Sequence, residues 1–252
     1  MSSSIQQPSA TQSYIPFGYS LVCYVASLIS LTCFIVFVSG LYEPLSVNAQ
    51  KGEQSLLMGL LINTLLISLF GIQHSVMARE RFKVWLSKYI PESTERATFC
   101  LASSLVLFAI TFFWAPMNGQ LWDLSASSIG LFISCVGGAG WILLLVATFQ
   151  LDHFELFGLK QTFYPLIGKK MQDAEFKTPG LYKLVRHPIQ LGVLIGVWAV
   201  PVSTVSHFML AIGMTAYILV GLYFEEKDLV KEFGSRYSDY KKQVAKLLPF
   251  IG

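Results

Sequence analysis

A cationic motif stands where a polar stretch gives way to a long apolar run. It consists of Arg186, His187 and Pro188 within YKLVRHPIQLG, residues 182–192. Proline favours the first turn of a helix, whose free backbone N–H groups attract an anion, and the arginine and histidine add donors beside them. We call Arg186–Pro188 the RHP corner and predict that it holds a carboxylate or a phosphate. Contact of Arg186 with lipid headgroups is the alternative.

Two adjacent glutamates, Glu225 and Glu226, follow the same apolar run. The run, residues 190–224, is too long for one membrane crossing, and Pro201 divides it into a short and a longer helix. Such a hairpin returns the glutamates to the face that carries the RHP corner. Cationic donors opposite carboxylates suit a ligand that has a carboxylate, an ammonium group and ribose hydroxyls. A solvated acidic face is the alternative for two isolated acids.

A histidine in DHFELFGL, residues 152–159, is the first candidate for a general base. This residue, His153, follows an apolar run, and Phe154 and Phe157 could line a small apolar pocket beside it. Adjacent residues of a helix do not face each other, so Asp152 can orient His153 only if the helix has already ended. An interfacial histidine among anchoring aromatic side chains is the alternative.

A second histidine, His74, lies near the end of another apolar run. An ionisable side chain inside a membrane helix is a functional candidate because burying it is costly. Its neighbours Gln73 and Ser75 could instead satisfy its ring by hydrogen bonding. His207 is interpreted as structural, and Arg96 as a contact to headgroups or to a loop.

Composition places these residues in a membrane protein. Of the 252 residues, 54% are hydrophobic and only 13% are charged, whereas about 25% are charged in soluble domains. The four cysteines lie inside apolar runs without paired spacing, which indicates packing and no metal site. The basic carboxy-terminal tail is expected to attract anionic lipid and no nucleic acid.

The apolar runs predict an all-α, polytopic integral membrane protein. A crossing helix needs about 20 apolar residues, and four runs qualify at about 17–41, 55–75, 98–115 and 127–149. With the hairpin this gives six transmembrane helices, or five if the short helix only dips into the membrane. The tail after the glutamates is predicted as an amphipathic helix with a kink or stop at Gly234.

The chain is predicted as one domain, residues 1–252. Residues 1–150 form a four-helix scaffold in this scheme, and residues 151–252 form the loop, hairpin and tail that bind cofactor and substrate. Seventeen of the eighteen basic residues fall in three regions that six crossings place on one side with the amino terminus, the exception being Lys51. The positive-inside rule then predicts a bacterial inner-membrane protein with both termini in the cytoplasm.

The order of the motifs resembles that of a known superfamily. RHP-x-x-x-G, a hydrophobic hairpin, EE-x-x-L and G-x-x-Y-x-x-Y are similar to the carboxy-terminal signature of the isoprenylcysteine carboxyl methyltransferases. The resemblance implies that S-adenosylmethionine is the cofactor, and it assigns seven cofactor-binding residues. These are Tyr182, Arg186, His187, Pro188, Gly192, Glu225 and Glu226. That superfamily usually has tyrosine at the position of Gln190, and Tyr182 is the candidate replacement.

Other segments narrow the resemblance. QHSVMARERFKVW (73–85), ERATF (95–99) and DHFELFGLKQ (152–161) resemble the membrane-bound methanethiol S-methyltransferases, a branch related to NnrU proteins. This implies methyl transfer to methanethiol, a small thiol partner, to give dimethyl sulfide. The expected catalytic residues are His153, Arg186 and Asp152, and the expected substrate-binding residues are Phe154, Phe157 and His74.

Two alternative functions remain open at this point. A related methyltransferase could act on a lipid-borne acceptor such as a prenylcysteine carboxylate. Some NnrU-like relatives bind haem as isomerases, and that function would recruit His74 with another intramembrane histidine. The haem alternative leaves the RHP corner and the paired glutamates unexplained.

Overall fold

The computed structural model describes residues 10–49, 55–171 and 175–248. Lys51, the one basic residue of the first loop, lies outside the described residues. Within these ranges the chain forms ten α-helices and two short β-strands. The helices are α1 Ala10–Ser39, α2 Leu56–Met77, α3 Glu80–Leu86, α4 Glu95–Phe113, α5 Ser128–Leu151, α6 His153–Leu156, α7 Lys160–Leu166, α8 Pro188–Trp198, α9 Val205–Phe233 and α10 Ser235–Gln243. The strands are β1 Gln120–Asp123 and β2 Val202–Thr204.

Five helices are long and apolar enough to cross a membrane, which confirms the predicted fold class. They are α1, α2, α4, α5 and α9, and their bounds match the predicted apolar runs to within a few residues, except that α1 begins earlier and α9 continues to Phe233. Helix α8 has 11 residues, about 16 Å at 1.5 Å per residue. It therefore covers about half of a hydrocarbon core of about 30 Å, and it is the short member of the predicted hairpin.

The turn of the hairpin is held by a small sheet that the sequence did not predict. Strand β2 pairs antiparallel with β1, which lies in the connection between α4 and α5. The side chain of Asn48, from the loop after α1, donates to the carbonyl of Val202 at 3.2 Å and accepts from the hydroxyl of Thr204 at 2.8 Å. We call β1, β2 and Asn48 the clasp. It joins three connections at one end of the helix bundle.

The dry core lies next to the clasp. Phe37, Trp114, Val200 and Leu210 belong to one cluster of buried apolar side chains, and the indole N–H of Trp114 donates to Ser206 Oγ at 2.8 Å. Helix-to-helix packing at this end is thus apolar. The RHP corner and the paired glutamates lie at the opposite end.

We call that opposite end of the bundle the basic end. Helices α2, α5 and α9 end there, α4 and α8 begin there, and α10 lies there. The first part of α1 also lies there, because Phe17 packs on Phe163 with ring centroids 5.6 Å apart. The seventeen basic residues outside the first loop belong to segments at this end. The amino-terminal helix and the tail therefore share one side of the bundle.

Glycines set how closely α5 and α8 approach. A Cβ atom at Gly192 would lie 2.6 Å from the carbonyl oxygen of Gly140 and 2.7 Å from the backbone nitrogen of Leu144. A Cβ atom at Gly140 would lie 2.7 Å from the backbone nitrogen of Gly196. Small residues let membrane helices bring their backbones into contact. This contact holds the first turn of α8, and with it the RHP corner, against the end of α5.

Candidate functional site

The structure brings the RHP corner and the paired glutamates together. Arg186 Nε donates to Glu226 Oε1 at 2.8 Å, and His187 Nε2 lies 3.2 Å from the same oxygen. The other oxygen, Oε2, lies 3.4 Å from Lys241 Nζ and 3.3 Å from Lys246 Nζ. The side chains of Arg186 and Glu226 are 8% and 6% exposed. Both oxygens of Glu226 are thus engaged by cations of the protein itself.

The carboxy-terminal tail closes over this ion cluster. The guanidinium of Arg186 donates to the carbonyls of Lys241, at 2.9 Å, and Val244. The backbone N–H groups of Arg186 and His187 donate to the carbonyls of Ala245 and Lys246 at 2.8 and 3.2 Å. Gly234, with φ +60, separates α9 from α10 at the predicted stop and turns the chain back toward the corner. Arg186 therefore ties α8, α9 and the tail into one unit.

Glu225 is the glutamate that remains available to a ligand. Its side chain is 46% exposed, and its Oε1 lies 3.8 Å from His187 Nδ1. Its other oxygen accepts from the side-chain amide of Gln190 at 3.3 Å. Gln190 is the residue that departs from the superfamily pattern, and in this chain it orients the exposed glutamate. The sequence alone did not distinguish the two acids.

The first turn of α8 presents backbone donors beside Glu225. Pro188 opens the helix as predicted, and His187 makes no side-chain cap because its ring faces the glutamates. Among the described residues, the backbone N–H groups of Ile189 and Gln190 have no hydrogen-bond partner. An anion is stabilised at such a helix start by these donors and by the helix dipole.

Tyr182 and Gly192 lie against α5. The Tyr182 side chain is buried, and its hydroxyl donates to the carbonyl of Ala147 at 3.4 Å. Its own carbonyl accepts a hydrogen bond from the hydroxyl of Tyr240 in the tail. Burial raises the pKa of Tyr182 above its usual range and the pKa of Tyr240 to about 12, so both phenols stay protonated. Together with the close approach at Gly192, these contacts position the RHP corner.

His153 lies in a separate aromatic cluster between α1 and α5. Its ring is 3% exposed and stacks on Phe149 with centroids 4.2 Å apart. Nε2 lies 3.0 Å from the hydroxyl of Tyr24, and Nδ1 lies 2.8 Å from the hydroxyl of Thr148. Both ring nitrogens are therefore hydrogen-bonded within the protein. Burial lowers the pKa of His153, and the nearby charge of Asp152 opposes that shift only in part.

Phe154 and Phe157 lie beside His153, as predicted. Their ring centroids lie 5.5 and 4.8 Å from that of His153, and the side chain of Phe154 is half exposed. The ring of Tyr24 closes the cluster from α1, 5.7 Å from Phe157. The aromatic residues thus surround the histidine, with hydroxyl groups at both of its nitrogens.

Asp152 stands where the sequence required a helix end, since α5 ends at Leu151. Its carboxylate accepts from the Lys160 ammonium group and from the backbone N–H of Glu155, the latter at 3.0 Å. Burial favours a raised pKa for Asp152, but these two donors lower it on balance. Within the described residues, its hydrogen bonds do not include the ring of His153. The contacts assign Asp152 to capping α6 and anchoring Lys160.

His74 faces a third group of residues, between α2, α4 and α9. Its Nδ1 lies 3.3 Å from Ser103 Oγ, so Ser103 contacts the ring in the way expected for Ser75. The ring lies 4.7 Å from that of Phe99 and 5.9 Å from that of Tyr217. Beside it is Arg96, whose Cζ lies 5.1 Å from the Phe99 centroid.

Arg96 was interpreted from the sequence as a simple tether. Its position in the first turn of an otherwise apolar helix was the available signal, because charge near a membrane core is costly. In the structure Arg96 is partly buried and lies within electrostatic range of both His74 and Glu225.

Two pockets with mostly apolar linings lie away from the polar groups described above. One of about 310 Å³ lies near the clasp and is lined by Trp122, Phe132 and Trp198, among others. A groove of about 390 Å³ follows the seam between α2 and α9 on the clasp side of His74. In the described ranges, no three His, Cys, Asp or Glu side chains are grouped so that they could hold a metal ion.

Comparison with known proteins adds the relatives of this chain. The sequence profile of the NnrU protein family matches residues 60–249. Methanethiol S-methyltransferase of Pseudomonas deceptionensis is 42% identical over 247 residues, which cover 98% of this chain and 94% of the relative. Methanethiol S-methyltransferase 2 of Bradyrhizobium diazoefficiens is 42% identical over 231 residues, covering 92% and 88%. The enzyme of that name from Pseudomonas sp. (strain GM41(2012)) is 41% identical over 232 residues, covering 92% and 88%. No solved structure matches the chain.

Proposed function

The chain belongs to the NnrU protein family, which confirms the resemblance seen in its sequence, and from this premise we propose that it transfers a methyl group from S-adenosylmethionine to methanethiol. The products are dimethyl sulfide and S-adenosylhomocysteine. The curated relatives that share most of its length are named for methyl transfer to methanethiol. The chain is thus a membrane transferase that acts on a small thiol.

One observation carries the proposal: an exposed carboxylate stands opposite the RHP corner. Glu225 is about half exposed, whereas Glu226 beside it is engaged by the side chains of Arg186, His187, Lys241 and Lys246. Glu225 can accept hydrogen bonds from an ammonium group or from ribose hydroxyls. The backbone N–H groups that open α8 and the half-exposed Lys241 and Lys246 can hold a carboxylate. These groups fit the ends of S-adenosylmethionine.

The other predicted cofactor-binding residues act indirectly, by holding these groups in place. Arg186, His187 and Glu226 fix the corner, and Pro188 starts the helix. Tyr182 and Gly192 hold the corner against α5. When bound, S-adenosylmethionine supplies a methyl group from a cationic sulfur. After the transfer, that sulfur is part of a neutral thioether.

The location suits the chemistry. The attacking group is a thiolate, because a thiol is a poor nucleophile. Its attack on a sulfonium removes two opposite charges, so a site with little water favours the reaction by withholding solvation from the charged reactants. Glu225 and the RHP corner lie where apolar helices end, next to polar loops. Such a position borders the water-poor bilayer on one side and is open to a small apolar thiol.

The sequence-based assignment of His153 as the base, oriented by Asp152, stays a prediction. Because both nitrogens of His153 are bonded to hydroxyls, a thiol proton would reach it through Tyr24 or Thr148. Phe154 and Phe157 would form the apolar wall of that pocket. Arg186 already donates from Nε and Nη1, so among its described contacts only Nη2 is left to act on the thiolate.

The same premise supports a location and an orientation. The protein spans a membrane by its five long apolar helices. We assign it to the inner membrane of a bacterium with the basic end in the cytoplasm, because the basic segments gather at that end. Both termini are cytoplasmic in this orientation.

The direct test uses the purified full-length protein in lipid nanodiscs. S-adenosylmethionine carrying a ¹³C-methyl group is added with methanethiol, and labelled dimethyl sulfide is measured in the headspace together with S-adenosylhomocysteine in solution. We expect the two products in equal amounts and none without thiol. Methylation of a prenylcysteine acceptor with no methylation of methanethiol would overturn the substrate assignment. A Soret band with no methyl transfer would favour the haem alternative.

A further inference from the structure

Arg96 is a partly buried cation, and no carboxylate of the described residues lies within salt-bridge distance of it, since Glu225 lies only within longer electrostatic range. Its Nε donates to the carbonyl of Leu156 at 2.7 Å, which orients the guanidinium. Its Cζ lies 5.1 Å from the centroid of the Phe99 ring. No described residue forms a hydrogen bond with either of its terminal nitrogens. Removing a charge from water is costly unless it is paired, so this guanidinium is suited to an anion that the protein itself does not supply.

His74 presents a free ring nitrogen to the same space. Ser103 Oγ lies 3.3 Å from His74 Nδ1 and accepts from the amide of Gln73, also at 3.3 Å. The contact permits the tautomer in which Nδ1 carries the hydrogen and donates it to Ser103, whose oxygen can accept from both Gln73 and His74. Nε2 then has an unshared electron pair, and within the described ranges no residue bonds to it. His74 is therefore arranged to accept a proton at Nε2.

One side of α9, which we call the path, runs from this space to Glu225. Tyr217, Gly221 and Glu225 are spaced four residues apart on α9 and so lie along one side of the helix. A Cβ atom at Gly221 would have no atom within 4 Å, and the hydroxyl of Tyr217 has no partner in the described part of the chain. One turn of helix, about 6 Å, separates Gly221 from Glu225. A donor held at Glu225 thus lies within reach of the space before Arg96 and His74.

The walls of this space are aromatic. Phe70, Phe99 and Tyr217 lie around the His74 ring at centroid distances of 5.6, 4.7 and 5.9 Å. These rings form an apolar wall suited to a small alkyl group. The charged or titratable groups near the ring are Arg96 on α4 together with Tyr217 and Glu225 on α9.

We propose that Arg96 and His74 form the thiol subsite of the enzyme, with a small alkyl thiol as its ligand; the inference rests on the proposed function. The thiol S–H bond breaks, its proton moves to His74 Nε2, and the guanidinium of Arg96 holds the resulting thiolate. A lone pair of the thiolate sulfur forms the new S–C bond, and the electron pair of the donor's S–CH₃ bond stays on the donor sulfur. The proton leaves from His74 to water after transfer. Helices α2 and α4, assigned to the scaffold from the sequence, thereby contribute to the site.

His74 and His153 differ in whether a ring nitrogen is left unbonded and able to accept a proton. The ring of His153 has hydroxyl partners at both nitrogens, whereas His74 has one at Nδ1 and none at Nε2 among the described residues. Arg96 also stands beside His74, while Asp152 is occupied by Lys160. A thiol at His74 would meet a base and a cation together.

The experiment compares Arg96→Gln and His74→Gln with the wild-type protein in nanodiscs. We expect Arg96→Gln to raise the KM for methanethiol at least tenfold, and His74→Gln to lower kcat at least a hundredfold at pH 7. Turnover by His74→Gln should rise with pH, because solution then supplies the thiolate. The Kd for S-adenosylhomocysteine, measured by calorimetry, should change less than twofold in both variants. Thiocyanate, a small sulfur-containing anion, should bind to wild type loaded with S-adenosylhomocysteine and at least tenfold more weakly to Arg96→Gln.

A variant that blocks the path, compared with a matched control, tests the subsite even if Arg96→Gln or His74→Gln fails to fold. Gly221→Leu should fill the path and reduce turnover at least tenfold. Gly138→Leu on α5 is its matched control, because a Cβ atom there also has no atom within 4 Å. Wild-type KM and kcat in Arg96→Gln, His74→Gln and Gly221→Leu would overturn the subsite while leaving the proposed function intact. A wild-type protein that neither binds S-adenosylhomocysteine nor makes dimethyl sulfide would instead refute the function itself.

Discussion

Arg186 and Glu226 form a nearly solvent-free ion pair, with Nε and Oε1 2.8 Å apart and side chains 8% and 6% exposed. The pair joins the start of α8 to the last turns of α9. Successive residues of a helix differ by about 100° in direction, so the inward position of Glu226 leaves the neighbouring Glu225 side chain 46% exposed. The two glutamates therefore have different tasks. Glu226 holds the corner together, and Glu225 is the carboxylate that the proposed function assigns to the ligand.

Replacing Glu226 with glutamine should destabilise the protein. Removing one member of a buried pair leaves an uncompensated charge and costs about 3–5 kcal/mol, and here Arg186, His187, Lys241 and Lys246 all lose their acid. We expect a lower thermal midpoint and cleavage of the tail by protease at lower concentrations than in wild type. A midpoint equal to that of wild type would contradict the structural role.

Glu225→Gln should have the opposite profile. Its side chain is about half exposed and its partners are Gln190 and His187, so we expect a thermal midpoint close to that of wild type. Loss of the carboxylate should weaken S-adenosylhomocysteine binding at least tenfold, which corresponds to about 1.4 kcal/mol. Calorimetric titration in nanodiscs measures the change, and the Glu226 variant serves as the comparison. Unchanged affinity would remove Glu225 from the cofactor site.

The sequence was sufficient for the membrane segments and for the meeting of the motifs. Hydropathy is a local property, so the apolar runs gave the five long helices, and Pro201 marked the turn after α8. The basic residues indicated which helix ends share a side. A hairpin then required the RHP corner and Glu225–Glu226 to lie at the same end, as they do.

Long-range pairing explains what the sequence left unresolved. The clasp joins Gln120–Asp123 to Val202–Thr204, far away in the sequence, and strands of three or four residues carry no clear local pattern. The saturation of Glu226 depends on where the tail folds back. The functional position of Arg96 depends on its orientation by the carbonyl of Leu156. None of these contacts follows from the spacing of residues along the chain.

The variant His153→Gln tests separately whether His153 contributes to stability and whether it contributes to turnover. Burial lowers its pKa below the ordinary value of about 6.5, so the folded state favours the neutral ring. Its contribution to stability is complete above about pH 6.5 and declines as the pH falls below that value toward the folded pKa. We expect the variant to melt at a lower temperature at pH 7.5, since Tyr24 and Thr148 lose their partner, and to lose less additional stability between pH 6.5 and 5.

Turnover by the same variant tests the base assignment. As a structural histidine, His153 should be replaceable with less than a threefold loss of kcat per folded molecule. As the base, its loss should lower kcat at least a hundredfold with S-adenosylhomocysteine affinity retained. We expect the smaller loss, because both ring nitrogens are already bonded to hydroxyls. The larger loss would identify His153 as the base and contradict the assignment of that role to His74.

Gly192→Ala tests whether the glycine of the RHP-x-x-x-G motif serves packing. An added Cβ would lie 2.6 Å from the carbonyl oxygen of Gly140, a backbone atom that cannot move aside without separating α8 from α5. We expect a lower thermal midpoint and an S-adenosylhomocysteine Kd within threefold of wild type in the folded fraction. Gly138→Ala, where the new methyl group meets no atom within 4 Å, should keep the wild-type midpoint. A wild-type midpoint in Gly192→Ala with a Kd raised tenfold or more would instead make Gly192 a cofactor contact, as the superfamily resemblance implies.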